Sequence, residues 1–191
     1  MSYEVSPPAR NEIDRLTRFP EGYPQPGLFG VDLMNDHQIA MTGRALDIEK
    51  DRMIYESART TAGTESQVLR NQIDETGALL EHLGSDLAQL AMRNPERGGS
   101  LLKELASNDD LHIRNTAAAA AIPLGLGGGY ELAFDTLATA YERDESRRET
   151  REGMSDARFL DLLRGLRAQA PSVATILERR WYERFPDALS T

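Results

Sequence analysis

The sequence predicts an all-α fold: a long antiparallel helical hairpin followed by short HEAT-like helix pairs, with an extended N-terminal arm in front. Three observations carry this. Apolar residues recur at helical spacing from Asn35 almost to the C-terminus, no stretch alternates apolar and polar as a half-buried strand does, and five of the nine prolines precede residue 36. The chain has 191 residues, enough for one domain with a real core. We divide it into a proline-rich arm, 1–34, and a single helical domain, 35–191, made of a hairpin over 35–93 and shorter helices over 96–191.

In the arm, Pro20, Pro24 and Pro26 are interspersed with Gly22, Gly27 and Gly30, a composition that prevents long regular structure. Three apolar side chains, Tyr23, Leu28 and Phe29, interrupt it. They are expected to dock the arm on this chain's helices or on a neighbouring subunit.

The hairpin follows. Met41, Ala45, Ile48, Arg52 and Tyr55 are spaced 4, 3, 4 and 3 apart, the rhythm of a helix seam with one flaw at Arg52. Leu69, Ile73, Thr76, Leu80, Leu83, Leu87 and Leu90 repeat the rhythm without a flaw. The turn-like Thr60-Thr61-Ala62-Gly63-Thr64 between them folds the two helices back on each other, and Gly84 is read as a bend in the second.

Beyond Asn94-Pro95 the helices shorten. Leu101, Leu102 and Leu105 mark one, and Asn108-Asp109-Asp110 caps the next, from about Leu111 to Ile122. Gly125 to Gly129 ends that helix. Its spacing fails as a dinucleotide loop, because Tyr130 stands where a third glycine belongs and no strand precedes it. Phe134, Leu137 and Tyr141 lie on a further helix, Ser155 is placed to cap another, and Pro171 opens the last.

The order Leu101-Leu-Lys-Glu-Leu-Ala-Ser-Asn-Asp-Asp-Leu-His-Ile113-Arg114-Asn-Thr-Ala117-Ala118 resembles a HEAT-type repeat. In such repeats a turn rich in Asp and Asn is followed by an apolar residue, an arginine and paired small residues. The resemblance covers about residues 101–141 and extends to small bacterial HEAT-like proteins, some of them encoded beside toxin genes. It implies stacked helix pairs, with Arg114 bridging successive turns.

Charge narrows the function. With 31 acidic and 22 basic residues the formal net charge is −9, which opposes nucleic-acid binding and suits a basic protein partner. No run approaches the roughly 20 apolar residues of a membrane span, the N-terminus lacks signal-peptide character, and there is no cysteine. A cytoplasmic protein, or one in a cytoplasmically assembled particle, is expected.

His37, His82 and His112 stand alone, with no recognised metal spacing, and no serine-nucleophile elbow is present. No catalytic, cofactor or metal site is therefore expected. The expected function is a non-enzymatic protein–protein interaction module, either a structural subunit or adaptor of a larger assembly or an acidic inhibitor of the immunity type. The alternative is an enzyme whose site is assembled from distant helices.

The candidate contact residues are Tyr23, Leu28 and Phe29 on the arm, Asp74, Glu75 and Glu81 beside the leucine seam, and Trp181 and Tyr182 near the C-terminus. On a long helix such carboxylates most often form a plain solvated face. Trp181 could equally close the last layer of the core.

Overall fold

The computed structural model describes residues 29–60, 63–147 and 155–188. Tyr23 and Leu28 lie outside the described residues. Seven helices follow a 3-10 turn at Val31–Leu33: α1 (Asp36–Arg59), α2 (Thr64–Arg93), α3 (Pro95–Ala106), α4 (Leu111–Leu126), α5 (Tyr130–Arg147), α6 (Ser155–Gln169) and α7 (Pro171–Arg184). No strand occurs among the described residues.

Local chemistry sets the helix starts. Asn35 and Gln38 form a capping box, each side-chain oxygen accepting the other's backbone N–H at 2.9 Å. Asn94 caps α3 ahead of Pro95, and Asp110 caps α4 by accepting the His112 N–H at 2.9 Å. Gly128, at φ 99, turns the chain between α4 and α5, so the glycine cluster does serve as a helix terminator.

The centre of the molecule is α4, whose residues Ile113 to Ala121 are all buried. It packs on α1, α2, α3, α5 and α6. Small residues make that possible. A Cβ at Gly84 would lie 2.8 Å from the Ala119 carbonyl carbon, and one at Gly43 would lie 2.0 Å from Thr116 Oγ1. Gly84 is where the α4 backbone meets α2, which runs as one helix through it.

The α2 seam residues turn inward: Leu69, Leu80, Leu83, Leu87 and Leu90 are buried, with Ile73 and Thr76 half-buried. Those of the expected α1 seam do not. The buried residues of α1 are Ile39, Thr42, Gly43, Leu46, Asp47 and Met53; of these Ile39, Gly43, Leu46 and Met53, with half-buried Lys50 between the last two, each stand two positions before a member of the expected set. Two positions turn a helix by about 200°, so Met41 and Tyr55 of the expected seam are exposed.

The arm's last residues belong to the folded unit, ahead of the boundary placed at residue 34. Phe29, Val31 and Met34 are buried, and the Phe29 N–H donates to Asp86 Oδ2 at 2.9 Å. Arg93 reaches Asp32 at 2.9 Å, and Arg97 donates to the Met34 carbonyl at 2.8 Å.

Arg114 is fully buried. Its Nε donates to Asp144 Oδ1 at 2.7 Å and its Nη1 to the carbonyls of Asn108 and Asp109 at 2.9 and 3.0 Å. The Ser155 hydroxyl, placed by the sequence as a helix cap, donates to the other oxygen of Asp144 at 2.8 Å. One buried ion pair thus ties the turn before α4 to α5 and to the start of α6. At the C-terminal end, Trp181 stacks on Phe159 at 3.9 Å between ring centroids, with Phe134, Tyr141 and Phe185 around it. Burial, and secondarily Glu145, pushes the Tyr141 hydroxyl up to about 12.

Candidate functional site

Two regions of the hairpin stand out, a polar cluster at its foot and an exposed surface towards its turn. The cluster forms where α1 crosses α4. Asp47 is buried, and one of its oxygens, Oδ2, faces both His112 Nδ1 and Asn115 Nδ2, each at 2.8 Å. Asp51, one turn further along α1, brings Oδ2 to 3.9 Å from the same His112 nitrogen. Helical periodicity explains the set, since Asp47 and Asp51 share a face at i, i+4 and His112 and Asn115 share one at i, i+3.

The surroundings fix the cluster's electrostatics. Burial, reinforced by repulsion from Asp47, raises the Asp51 carboxyl above its ordinary value against the pull of His112 and Lys50. Asp110 shows the opposite balance. Burial alone would raise it, but the Arg44 guanidinium at 2.6 Å, the His112 N–H and the charges of both residues together hold it below the usual range. Arg44 and Asp110 thereby brace α1 against the start of α4.

The second region is the part of the hairpin nearer its turn. From Arg52 on α1, and before about residue 76 on α2, the buried side chains among those described are Met53, Ser66 and Leu69. Neither Met53 nor Leu69 belongs to the continuous core. Ile54, Tyr55 and Val68 are exposed, Tyr55 at 64%. Arg52 pairs with Glu49 and Glu56, whereas Asp74 and Glu75 are exposed and make no ion pair among the described residues.

The other residues singled out by the sequence are scattered. Glu81 is exposed but paired with Arg158 at 2.6 Å. Trp181 has no accessible surface, so of its two readings the structure gives the core layer, and it is not a contact anchor in this conformation. Tyr182 beside it is 45% exposed. Phe29 is buried against this chain's own helices, with Asp86 as partner. The structure brings Asp74 and Glu75 together on one helix and leaves Tyr182 elsewhere.

Sequence reasoning missed Asp47, Asp51 and Asn115, and treated His112 as isolated. The two i, i+3 or i, i+4 pairs were visible, but nothing in a linear pattern joins residues 65 positions apart.

The chain matches no protein-family model, no curated protein and no solved structure. No helix among the described residues is long and apolar enough to cross a membrane.

Proposed function

We propose that this chain is a non-catalytic protein-binding module that engages a partner with a basic surface through the distal part of the α1–α2 hairpin. The observation that carries the reading is the coincidence, on that segment, of exposed Ile54, Tyr55 and Val68 with the unpaired carboxylates Asp74 and Glu75. Apolar side chains supply affinity once water is excluded from them, and carboxylates speed the encounter with a cationic surface. The net charge of −9 favours the same class of partner. HEAT-like stacking of the shorter helices fits a rigid base for such a surface, with Arg114 lacing the turn before α4 to α5.

Of the two interaction readings, the acidic inhibitor has more support than a structural subunit or adaptor that hooks its neighbour by the arm. Phe29, one of the three residues offered as the hook, is buried within this chain. The enzyme reading rests on the hydrogen-bonded His112–Asp47 pair, assembled from distant helices as such a reading requires. A cleft of about 290 Å³ is lined by Gly99, Lys103, Leu132, Asp135, Thr136, Thr139 and Arg184, and this pair is not among them.

The test is native co-purification followed by association kinetics with the identified partner. Tyr55→Ala combined with Ile54→Ser should speed dissociation. Asp74→Lys with Glu75→Lys should slow association and reduce its dependence on salt. A partner indifferent to both double variants contradicts the proposal. So does a partner surface that carries no excess of Lys and Arg, or sedimentation showing that the hairpin mates only with a second copy of itself.

A further inference from the structure

The geometry points to a binding site for a first-row divalent transition-metal cation at the foot of the hairpin, built from Asp47 and Asp51 of α1 and His112 and Asn115 of α4. It is independent of the partner-binding reading. The donor set comes first. Two carboxylates, an imidazole and a carboxamide oxygen are ligands that zinc, iron and manganese accept, and the imidazole disfavours calcium and magnesium. Two carboxylates and a dication also sum to zero charge, while Arg44, the arginine at this crossing, is committed to Asp110.

Distances agree with the donor set. One ligand atom from each of Asp47, Asp51 and His112 lies within 4.8 Å of the other two. Donors bound to one zinc ion at roughly 2.0–2.2 Å stand about 3.0–3.5 Å apart. The observed separations from His112 Nδ1, 2.8 Å to Asp47 and 3.9 Å to Asp51, bracket that interval and need only small rotamer shifts to meet it. His112 and Asp51 have side chains 27% and 56% exposed, which provides an entry path to buried Asp47.

The second observation concerns Asn115. Its side chain lies against the cluster, with Nδ2 donating to Asp47 at 2.8 Å, yet its buried Oδ1 has no hydrogen-bond partner. Asn115 is 6% exposed, and an unpaired carbonyl oxygen at that depth is costly. Because Nδ2 now faces Asp47, a half-turn of the amide about its Cβ–Cγ bond would set Oδ1 towards a cation held by the three neighbouring ligands. Outside the ligands, the Asp110 carboxylate holds the His112 backbone N–H at 2.9 Å and so fixes where the imidazole begins. The bound ion would clamp α1 to α4 beside the Arg44–Asp110 ion pair that already braces them.

The experiment is calorimetric titration of the full chain with zinc chloride after chelator treatment, with thermal melting in parallel. The site predicts saturable binding of a single equivalent and a higher melting temperature with zinc. Asp51→Asn and His112→Gln should each weaken binding by at least about tenfold. Cobalt substitution should give a visible absorption spectrum that changes in His112→Gln. Asp51→Asn, at an exposed side chain, keeps the test decisive if His112→Gln does not fold. The absence of saturable binding overturns the proposal, as does an affinity unchanged in Asp51→Asn, which would mark adventitious binding to surface carboxylates.

Discussion

The two halves of the hairpin are made of the same helices and are held by different means. At the foot, α1 and α2 flank α4 so closely that Gly43 and Gly84 leave no room for a Cβ, and Leu80, Leu83, Leu87 and Leu90 are part of the continuous core. Towards the turn the buried apolar side chains among those described are Met53 and Leu69, and neither belongs to that core. What differs is the number of helices each residue must satisfy. A foot residue is constrained by a third helix, whereas the distal segment carries exposed apolar groups and acids outside any ion pair among the described residues.

The largest effect expected from this contrast is for a charge placed on the leucine seam. Leu83→Asp buries a carboxylate in the core and should cost at least about 3 kcal/mol, while Val68→Asp on the same helix should stay within about 0.5 kcal/mol of the parent in urea unfolding. Equal midpoints for the two variants would remove the distinction.

Two glycines of α2 sharpen it. A Cβ at Gly84 meets the backbone of Ala119, which cannot rotate away, so Gly84→Ala should destabilise by about 1–3 kcal/mol. The nearest atom to a Cβ at Gly77 is Lys50 Cδ at 4.0 Å, an ordinary contact, so Gly77→Ala should stabilise by about 0.5–1 kcal/mol through helix propensity. Opposite signs in thermal melting are the signature.

A smaller effect comes from Asp86, buried at the foot beneath Phe29. Burial raises its carboxyl above the ordinary value of 3.8, and the Phe29 N–H only partly offsets this. Because the folded-state pKa is raised, ionised Asp86 weakens the fold at neutral pH, and protonation relieves the penalty as pH falls through the raised value towards 3.8. Stability of the parent relative to Asp86→Asn should therefore rise over that window and level off below it. A difference that falls over the same window would show that the Phe29 hydrogen bond outweighs burial.

The α2 helix was legible because its core contacts are leucines, which declare themselves by spacing. The α1 helix was read two residues out of register, since its inward face carries Thr42, Gly43 and Asp47, chosen to fit α4 rather than for hydropathy. Exposed Met41 and Tyr55 then offered a false stripe. The capping residues Asn94 and Asp110 could be read locally, because a cap acts within three residues of itself. The Asp47–His112–Asn115 cluster could not, since its members meet only when α4 docks. Trp181 shows a further limit: aromatic residues among arginines suit an interface, and here the arginines point outward while the indole closes the core, with Arg180 lying over the Phe134 ring and paired to Glu131.

The most direct test of the account is hydrogen exchange on the co-purified complex compared with the free chain. The account predicts that protection gained on binding concentrates in residues 52–59 and 64–76, the distal segments of α1 and α2, and leaves α4 unchanged. Protection gained across α5, α6 and α7 with none in the distal hairpin would contradict it.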